Sequence, residues 1–361
     1  MTDKRYKRLG QYIELVQERN KGAENTNLMG VSIAKKFIPS IANIIGTDLS
    51  TYRVVHPGNF AFCPVTSRNG EKITIARYRG NEDCIISQAY LPFRVTDENK
   101  LDPDYLMMWV LRPEFDRYAR FHSHGSVREL FSWDEMCNVY LPIPDISEQR
   151  RIVAEYQAIE QRIENNNRLI KTLEATAQAI YHHTFVENID PENLPEGWRK
   201  YTVGEFFPVV TGKKDANIAT ENGKYPFFTC SQEALRTDMY SFEGDAILLA
   251  GNGDFNVKYY KGKFEAYQRT YVLIPQDKSM LGLLFNVVKY EISRTAKEAK
   301  GSVIQFLTKG MVENIKFYAP KELDKDMLIH RFNDVCDLIT NTQEENVVLD
   351  KIKQTLLSKL S

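Results

Sequence analysis

The apolar positions of this chain fall into a row that advances in alternating steps of four and three. The row runs Ile152, Tyr156, Ile159, Ile163, Asn166, Ile170, Leu173, Ala177, Ile180, and eight of its nine members are apolar. A period of about 3.5 residues marks a helix that packs along another helix. Pro142 and Pro144 stop the preceding segment, Ser147 suits an N-cap, and Glu148 puts an acid in the first turn. The pattern predicts a long helix over residues 146–187. A shift of 176 residues, without a gap, gives a second row: Leu328, Phe332, Val335, Ile339, Thr342, Asn346, Leu349, Lys353, Leu356. Here Thr342 stands where the first row has Asn166. This row predicts a second long helix over residues 321–361.

The same shift aligns what precedes each helix. Gly125-Ser126-Val127 matches Gly301-Ser302-Val303, Asn138-Val139 matches Asn314-Ile315, and Pro144 matches Pro320. A matched row with a matched approach is an internal repeat. Residues 1–145 read as a first globular unit of short strands, at Tyr52–Val55, Asn59–Cys63, Lys72–Tyr78, Ile85-Ile86 and Tyr90–Val95, with a helix over Tyr105–Leu111 limited by Arg112-Pro113. The segment Asn188–Trp198, rich in Pro, Asn and acids, is a linker. Residues 188–320 repeat the plan. Val203-Gly204-Glu205-Phe206-Phe207 answers Leu9-Gly10-Gln11-Tyr12-Ile13, Glu243–Leu248 answers Pro57–Phe62, and Met280–Val288 answers the Tyr105 helix. The offset drifts from 194 to 176, which puts 18 extra residues in the loops of the first unit. The predicted class is α+β: two mixed α/β domains joined and separated by two long antiparallel helices, an internal repeat with a pseudo-twofold axis.

About 38 residues at ~1.5 Å each make a rod of roughly 57 Å. Short connections make the helices antiparallel, with a globule where each begins. The middle layers then meet, which sets Asn166 against Thr342; a polar layer in an apolar seam can fix register. A second apolar face, with Val153, Leu169, Ile329 and Ile352, is left for a partner. Two similar globules on a rod suggest a ruler, since duplex DNA repeats every ~34 Å.

Composition narrows the chemistry. The 361 residues are 43% hydrophobic and carry a net charge of −1, so nucleic-acid binding would have to come from local patches. The five cysteines, 63, 84, 137, 230 and 336, form no CxxC pair, which argues against structural zinc and disulfides and suits a reducing cytoplasm. The N-terminal MTDKRYKRLG does not read as a signal peptide, and no membrane span is expected. No Asp/Asn-Pro-Pro-Tyr/Phe, GxxxxGK[ST] or HExxH motif occurs. His122, His124, His182 and His183 lack partners at ligand spacing, so no metal site is expected.

The chain resembles the specificity (S) subunit of type I restriction-modification systems. The resemblance rests on the unit openings, Arg8-Leu9-Gly10 and Leu194-Pro195-Glu196-Gly197-Trp198 with Val203-Gly204-Glu205-Phe206, and above all on Leu141-Pro142-Ile143-Pro144-Asp145-Ile146-Ser147-Glu148-Gln149-Arg150-Arg151-Ile152. The second exit, Phe317-Tyr318-Ala319-Pro320, lacks the Glu-Gln. The resemblance implies that the globules are target recognition domains reading a bipartite, asymmetric site in double-stranded DNA. It implies that the helices are spacers on which two methyltransferase (M) subunits assemble. S-adenosylmethionine would belong to the M subunits, and ATP and Mg to restriction (R) subunits. The S subunit would be a non-catalytic, cytoplasmic protein without a membrane anchor. Two other readings stay open: the specificity part of a fused methyltransferase-nuclease, and a coiled-coil adaptor without DNA readout.

Reading DNA needs cations for phosphates, and amides or Arg for base edges. In the first unit the candidates are Lys35, Lys36, Arg68, Asn69, Lys72, Arg77 and Arg79. In the second they are Lys213, Lys214, Asn252, Lys258, Lys261 and Lys263, in Gly-rich surroundings that let backbone approach a partner. The seam candidates are Ile152, Tyr156, Ile159, Ile163, Asn166, Ile170 and Leu173 against Leu328, Phe332, Val335, Ile339, Thr342, Leu349 and Leu356.

Overall fold

The computed structural model describes residues 6–40, 46–67, 72–125, 128–220, 223–298, 306–323 and 326–360. Two compact units divide the chain, Met1–Arg162 with Val348–Ser361, and Ile163–Val347. Each unit therefore takes in part of both long helices. The candidates Arg68 and Asn69, and the repeated Gly-Ser-Val at 126–127 and 301–303, lie outside the described residues.

In the first unit the order is β1 (Tyr6–Arg8), β2 (Ile13–Leu15), β3 (Met29–Val31), β4 (Phe37–Pro39), β5 (Arg53–Val55), β6 (Phe60–Phe62), β7 (Ile75–Arg77), β8 (Cys84–Ile86), β9 (Leu91–Val95), α1 (Pro103–Leu111), α2 (Pro113–Phe121), α3 (Trp133–Cys137) and β10 (Tyr140–Pro142). Its described strands form an antiparallel sheet in the order β2-β9-β6-β7, with the pairs β3-β4, β5-β8 and β1-β10 beside it. Phe60 stacks on Phe93 at 4.9 Å between ring centroids, and the core runs on through Tyr105, Phe115 and Phe131. Pro113 does not merely stop α1. It takes the first position of α2, where its missing N–H costs nothing.

The first long helix is α4 (Ile146–His182), followed by a π turn over His183–Glu187. Its N-cap is Asp145, not Ser147. The Asp145 carboxylate accepts from Glu148 N at 3.1 Å, while Ser147 already lies in the first turn and its hydroxyl donates to Asp145. Bonds from Ser147 and from backbone N–H hold the Asp145 carboxyl below its ordinary range. Gln149 is fully buried and ties the helix start to the unit. Its Oε1 accepts from Asp102 N at 2.9 Å, and its Nε2 donates to Lys100 O at 3.0 Å and Pro144 O at 2.8 Å. The Glu-Gln of the sequence signature is thus a joint: Gln149 closes three backbone groups that nothing apolar could satisfy.

The second unit contains β11 (Trp198–Thr202), β12 (Val210–Thr211), β13 (Tyr225–Phe228), β14 (Leu235–Thr237), β15 (Phe242–Ala250), β16 (Val257–Ala266), β17 (Thr270–Leu273), α5 (Leu281–Glu298), α6 (Lys309–Glu313) and β18 (Lys316–Pro320), then α7 (Met327–Ser358). The described strands order as β12-β17-β15-β16-β13-β14, antiparallel except for β13-β16, with β11-β18 apart. Amides link α4, α5 and α7: Gln178 Nε2 donates to Asn286 Oδ1 at 2.7 Å, and Gly282 N donates to Asn333 Oδ1 at 2.7 Å. A Cβ on Gly282 would stand 2.3 Å from the Phe332 carbonyl carbon, so this crossing needs glycine.

The two units share one internal frame. The opening strand pairs antiparallel with the closing strand in both, β1 with β10 and β11 with β18. Leu9 N donates to Val139 O in one, and Val203 N to Ile315 O in the other. The short helix before each closing strand is capped by a hydroxyl, Ser132 for α3 and Thr308 for α6. Gly10 lies against Cys137, and Gly204 against Glu313. Openings differ by 194 positions (9 to 203) and closings by 176 (139 to 315).

Every member of the two rows is at least partly buried except Ile180. Asn166 is buried, but Thr342 is not its partner. Asn166 Nδ2 donates to Asn346 Oδ1 at 2.9 Å and Glu345 Oε2 at 3.1 Å, and Thr342 Oγ1 donates to Leu338 O in its own helix. Of the proposed second face, Leu169 and Ile352 are exposed, whereas Val153 and Ile329 are buried in the cores of their units. They sit one position past the rows' Ile152 and Leu328, on the flank that the globules themselves cover. Among the described residues no helix is long and apolar enough to cross a membrane.

Candidate nucleic-acid interface

Each unit holds two surface loops together by the same backbone clamp. In the first, Phe131 N donates to Pro64 O at 2.9 Å, and Val65 bridges Leu130. In the second, Leu307 N donates to Gly251 O at 2.8 Å, and Asn252 bridges Phe306. Leu130 and Phe306 differ by the 176 of the repeat, and both are exposed, Phe306 at 63%. Gly251 is required where the second clamp closes, because a Cβ there would meet Arg269 O at 2.5 Å.

The first clamp is surrounded by cations. Arg120 donates to Thr66 O at 3.4 Å and pairs with Glu129 at 3.3 Å, while Arg128 and Lys72 are exposed. Lys36 is exposed on the β3–β4 hairpin, and neither Lys36 nor Lys72 has an ion pair among the described residues. Lys35, its neighbour, is not a surface cation. It is 6% exposed, its ammonium lies 2.8 Å from Asp116 and donates to Val110 O, and it stands over the Phe115 ring. Burial pushes its pKa down, and the Asp116 hydrogen bond opposes that shift. Lys35 has φ of 58°, so the turn that tucks it inward is left-handed. Arg77 is also structural: it donates to Gly58 O at 3.1 Å and pairs with Asp104 at 2.6 Å. Arg79 shares Asp104 but is more than half exposed.

In the second unit Lys213 is exposed and Lys214 half-buried, neither with an ion pair among the described residues. Lys258 is half-buried and tied to its neighbours. Its ammonium donates to Ser231 O at 2.7 Å and to Asn256 Oδ1, and burial lowers its pKa. Lys261 points along β16 to Asp337 of α7 at 3.7 Å. Lys263 lies over the Tyr240 ring at 4.7 Å and 3.9 Å from Glu243. A hydrogen bond to Tyr240 raises its pKa. Exposed pairs of this sort contribute little to stability, so both side chains remain available to a phosphate.

The sequence candidates therefore do not converge on one patch. What converges around the second clamp are Gln268, Arg269 and Phe306, which carried no sequence signal, together with Thr211 of the same candidate loop as Lys213. A Gln-Arg dipeptide and an isolated Phe are ordinary in a sequence. Only the pairing of β12, β17 and the clamp brings them together.

Comparison with known proteins bears on what such a chain is. Residues 195–352 match the family model of the type I restriction modification DNA specificity domain. The EcoDI specificity subunit of Escherichia coli, a type I restriction enzyme subunit, is 34% identical over 163 residues, 45% of this chain and 36% of that protein. The match thus spans only about a third of that relative's length. The MjaIX specificity subunit of Methanocaldococcus jannaschii is 21% identical over 295 residues, 71% of this chain and 68% of the relative. In fold, the chain is similar to the type I S subunit from M. genitalium, with a TM-score of 0.56 at 16% identity, covering 100% of this chain and 97% of that one. Residues 195–352 thus match the DNA specificity domain of type I restriction-modification systems, and the chain shares its fold with the M. genitalium S subunit.

Proposed function

We propose that this chain is the DNA sequence-specificity subunit of a type I restriction-modification complex and carries no catalytic site of its own. One observation carries the reading: the same opening, clamp, capped helix and closing strand occur twice, each leading into a long helix, and the second copy matches a DNA specificity domain. Under this reading each recognition unit addresses one short base block of double-stranded DNA. Two M subunits, holding S-adenosylmethionine, assemble on the helices, where Leu169, Leu338, Val347 and Ile352 expose apolar side chains. R subunits with ATP and Mg join to give translocation and cleavage, and the complex works in the cytoplasm.

The test is co-expression with the M subunit in a host free of adenine methylation, followed by mapping of methylated adenines. The expected result is one bipartite motif. Replacing residues 198–320 with the equivalent domain of another specificity subunit should change one half of that motif and keep the other. If both halves changed together, the two units would not read independently.

A further inference from the structure

The second unit carries a cavity of about 440 Å³ beside its clamp, lined by Thr211, Gly251, Gln268, Arg269, Tyr271, Phe306 and Leu307. Its walls are fixed by backbone. Gly251 N donates to Arg269 O at 2.8 Å, and Leu307 N to Gly251 O at 2.8 Å. Tyr271 Oη donates to Leu307 O at 2.8 Å, which pins the clamp to β17. Gly212 N donates to Thr270 O at 3.1 Å, and a Cβ on Gly212 would stand 1.9 Å from Ala266 O, so the chain just after β12 lies backbone to backbone against the rim.

On this rigid frame the side chains of Gln268 and Arg269 are exposed and, among the described residues, have no hydrogen bond or ion pair. The lining holds no carboxylate, and Lys213 is exposed two positions past Thr211. A guanidinium without an ion pair among the described residues, in a lining without a carboxylate, fits an anionic partner. The lining also matches what base edges in the major groove demand. Arg pairs bidentately with guanine, Gln with adenine, Thr hydroxyl with either, and an aromatic packs against the thymine methyl. Phosphate binding alone would need only cations.

We propose that this cavity is the base-reading site of the second unit. Arg269 and Gln268 address purine edges, Phe306 packs on a base or its methyl group, and Lys213 holds the phosphate beside them. The inference rests on the functional reading above and deepens it by naming the specificity-determining residues. In the first unit the clamp puts Leu130 at the place of Phe306, so the two units offer different apolar contacts on one backbone frame. That difference is what separate base blocks require.

The experiment uses the full chain co-expressed with its M subunit, with methylated adenines mapped for the native chain and for R269A, R269K, Q268A and F306A. Duplexes carrying the mapped motif, or single changes in it, then serve as binding probes across a salt series. The expected result is that R269A and Q268A each relax one position of one half-site, lowering discrimination roughly 5- to 150-fold, while the other half stays intact. R269K should relax the same position yet keep the salt dependence, because it retains charge but not the fork. The three side chains lie at the surface, and co-purification with M reports folding. An unchanged motif at full occupancy in all four variants overturns the inference and leaves the functional reading standing. So does R269A weakening every duplex alike with a salt slope lower by about one, since that marks a phosphate contact. A native complex that leaves no methylated motif sinks the functional reading, and this inference with it.

Discussion

Gln149 offers the sharpest test of how a recognition unit is fixed to its helix. Gln149→Leu keeps the volume and removes three hydrogen bonds: from Asp102 N, to Lys100 O and to Pro144 O. Gln149 is 0% exposed, so water cannot replace them without opening the joint. At about 1 kcal/mol net for each bond, the loss is about 3 kcal/mol. A local opening easier by that much raises exchange of the affected amides about 100-fold. Hydrogen exchange read by mass spectrometry on the full chain should show this at Asp102–Tyr105 and in the first turns of α4. Gln157→Leu is the control, because Gln157 is exposed and makes one bond to Asp104 at 3.1 Å.

Gln149→Glu adds a pH arm. The introduced carboxylate still accepts from Asp102 N but faces two carbonyls unless it is protonated. Its folded-state pKa would lie above the unfolded value of about 4.3, so the variant approaches native stability below that pH and loses it as pH rises. Exchange in Q149L within threefold of native at both segments, or a Q149E penalty that does not grow with pH, would refute the joint.

Three further outcomes follow from the corrected sites. Lys35→Ala leaves the Asp116 charge buried and should cost about 3–5 kcal/mol in denaturant melting, whereas the pair K35M/D116L should cost about 2 kcal/mol, for the Ile73 N–H and the Val110 carbonyl left without partners. Lys213→Ala should lower the salt slope of DNA binding by the assembled complex by about one, while Lys258→Ala should leave the slope unchanged because its ammonium is held by Ser231 O. His56 sits between Asp83 at 2.9 Å and Glu18 at 3.0 Å, and the Asp83 hydrogen bond, with that of Glu18, raises its pKa. Its stabilising contribution is full below about pH 6.5 and fades as pH rises through the raised value. The side chain is over a third exposed, so melting between pH 6 and 8.5 should show a few tenths of a kcal/mol that His56→Gln abolishes.

The helices and the double frame were legible in the sequence because each rests on positions that the backbone repeats. A heptad row, a glycine against a short helix and a proline at an exit mean the same thing wherever they stand. The binding candidates were less legible because a lysine's role depends on what faces it. Lys35 and Lys36 are adjacent, yet one neutralises a buried aspartate and the other meets solvent; only the left-handed turn at Lys35 separates them. Lys258 and Lys261 lie on one strand, and three residues of spacing turn them to opposite faces of the sheet. Arg269 and Gln268 were overlooked for the converse reason: neither belongs to a basic cluster, and their significance comes from a cavity lining that holds no carboxylate.

The misplaced partner of Asn166 has a geometric cause. A repeat shifted by 176 and an antiparallel pairing are two separate conditions on the seam. Asn166 meets Asn346, so facing residues add to 512. Both conditions hold together only at 168 and 344, one half-turn beyond Asn166 and Thr342. Matching positions of the repeat therefore flank the centre of the seam and do not touch. By the same rule Thr342 faces Ile170, and it closes its hydroxyl on Leu338 O because the opposite side chain offers no partner. The polar layer is thus asymmetric. Asn166 donates across the helices to Asn346 and Glu345, and Asn346 donates back to Asn167, while Thr342 at the repeated position donates only within its own helix. These bonds form in a single register, and a slip by one heptad would set Asn166 against Ile339 or Lys353, neither of which offers its Nδ2 an acceptor.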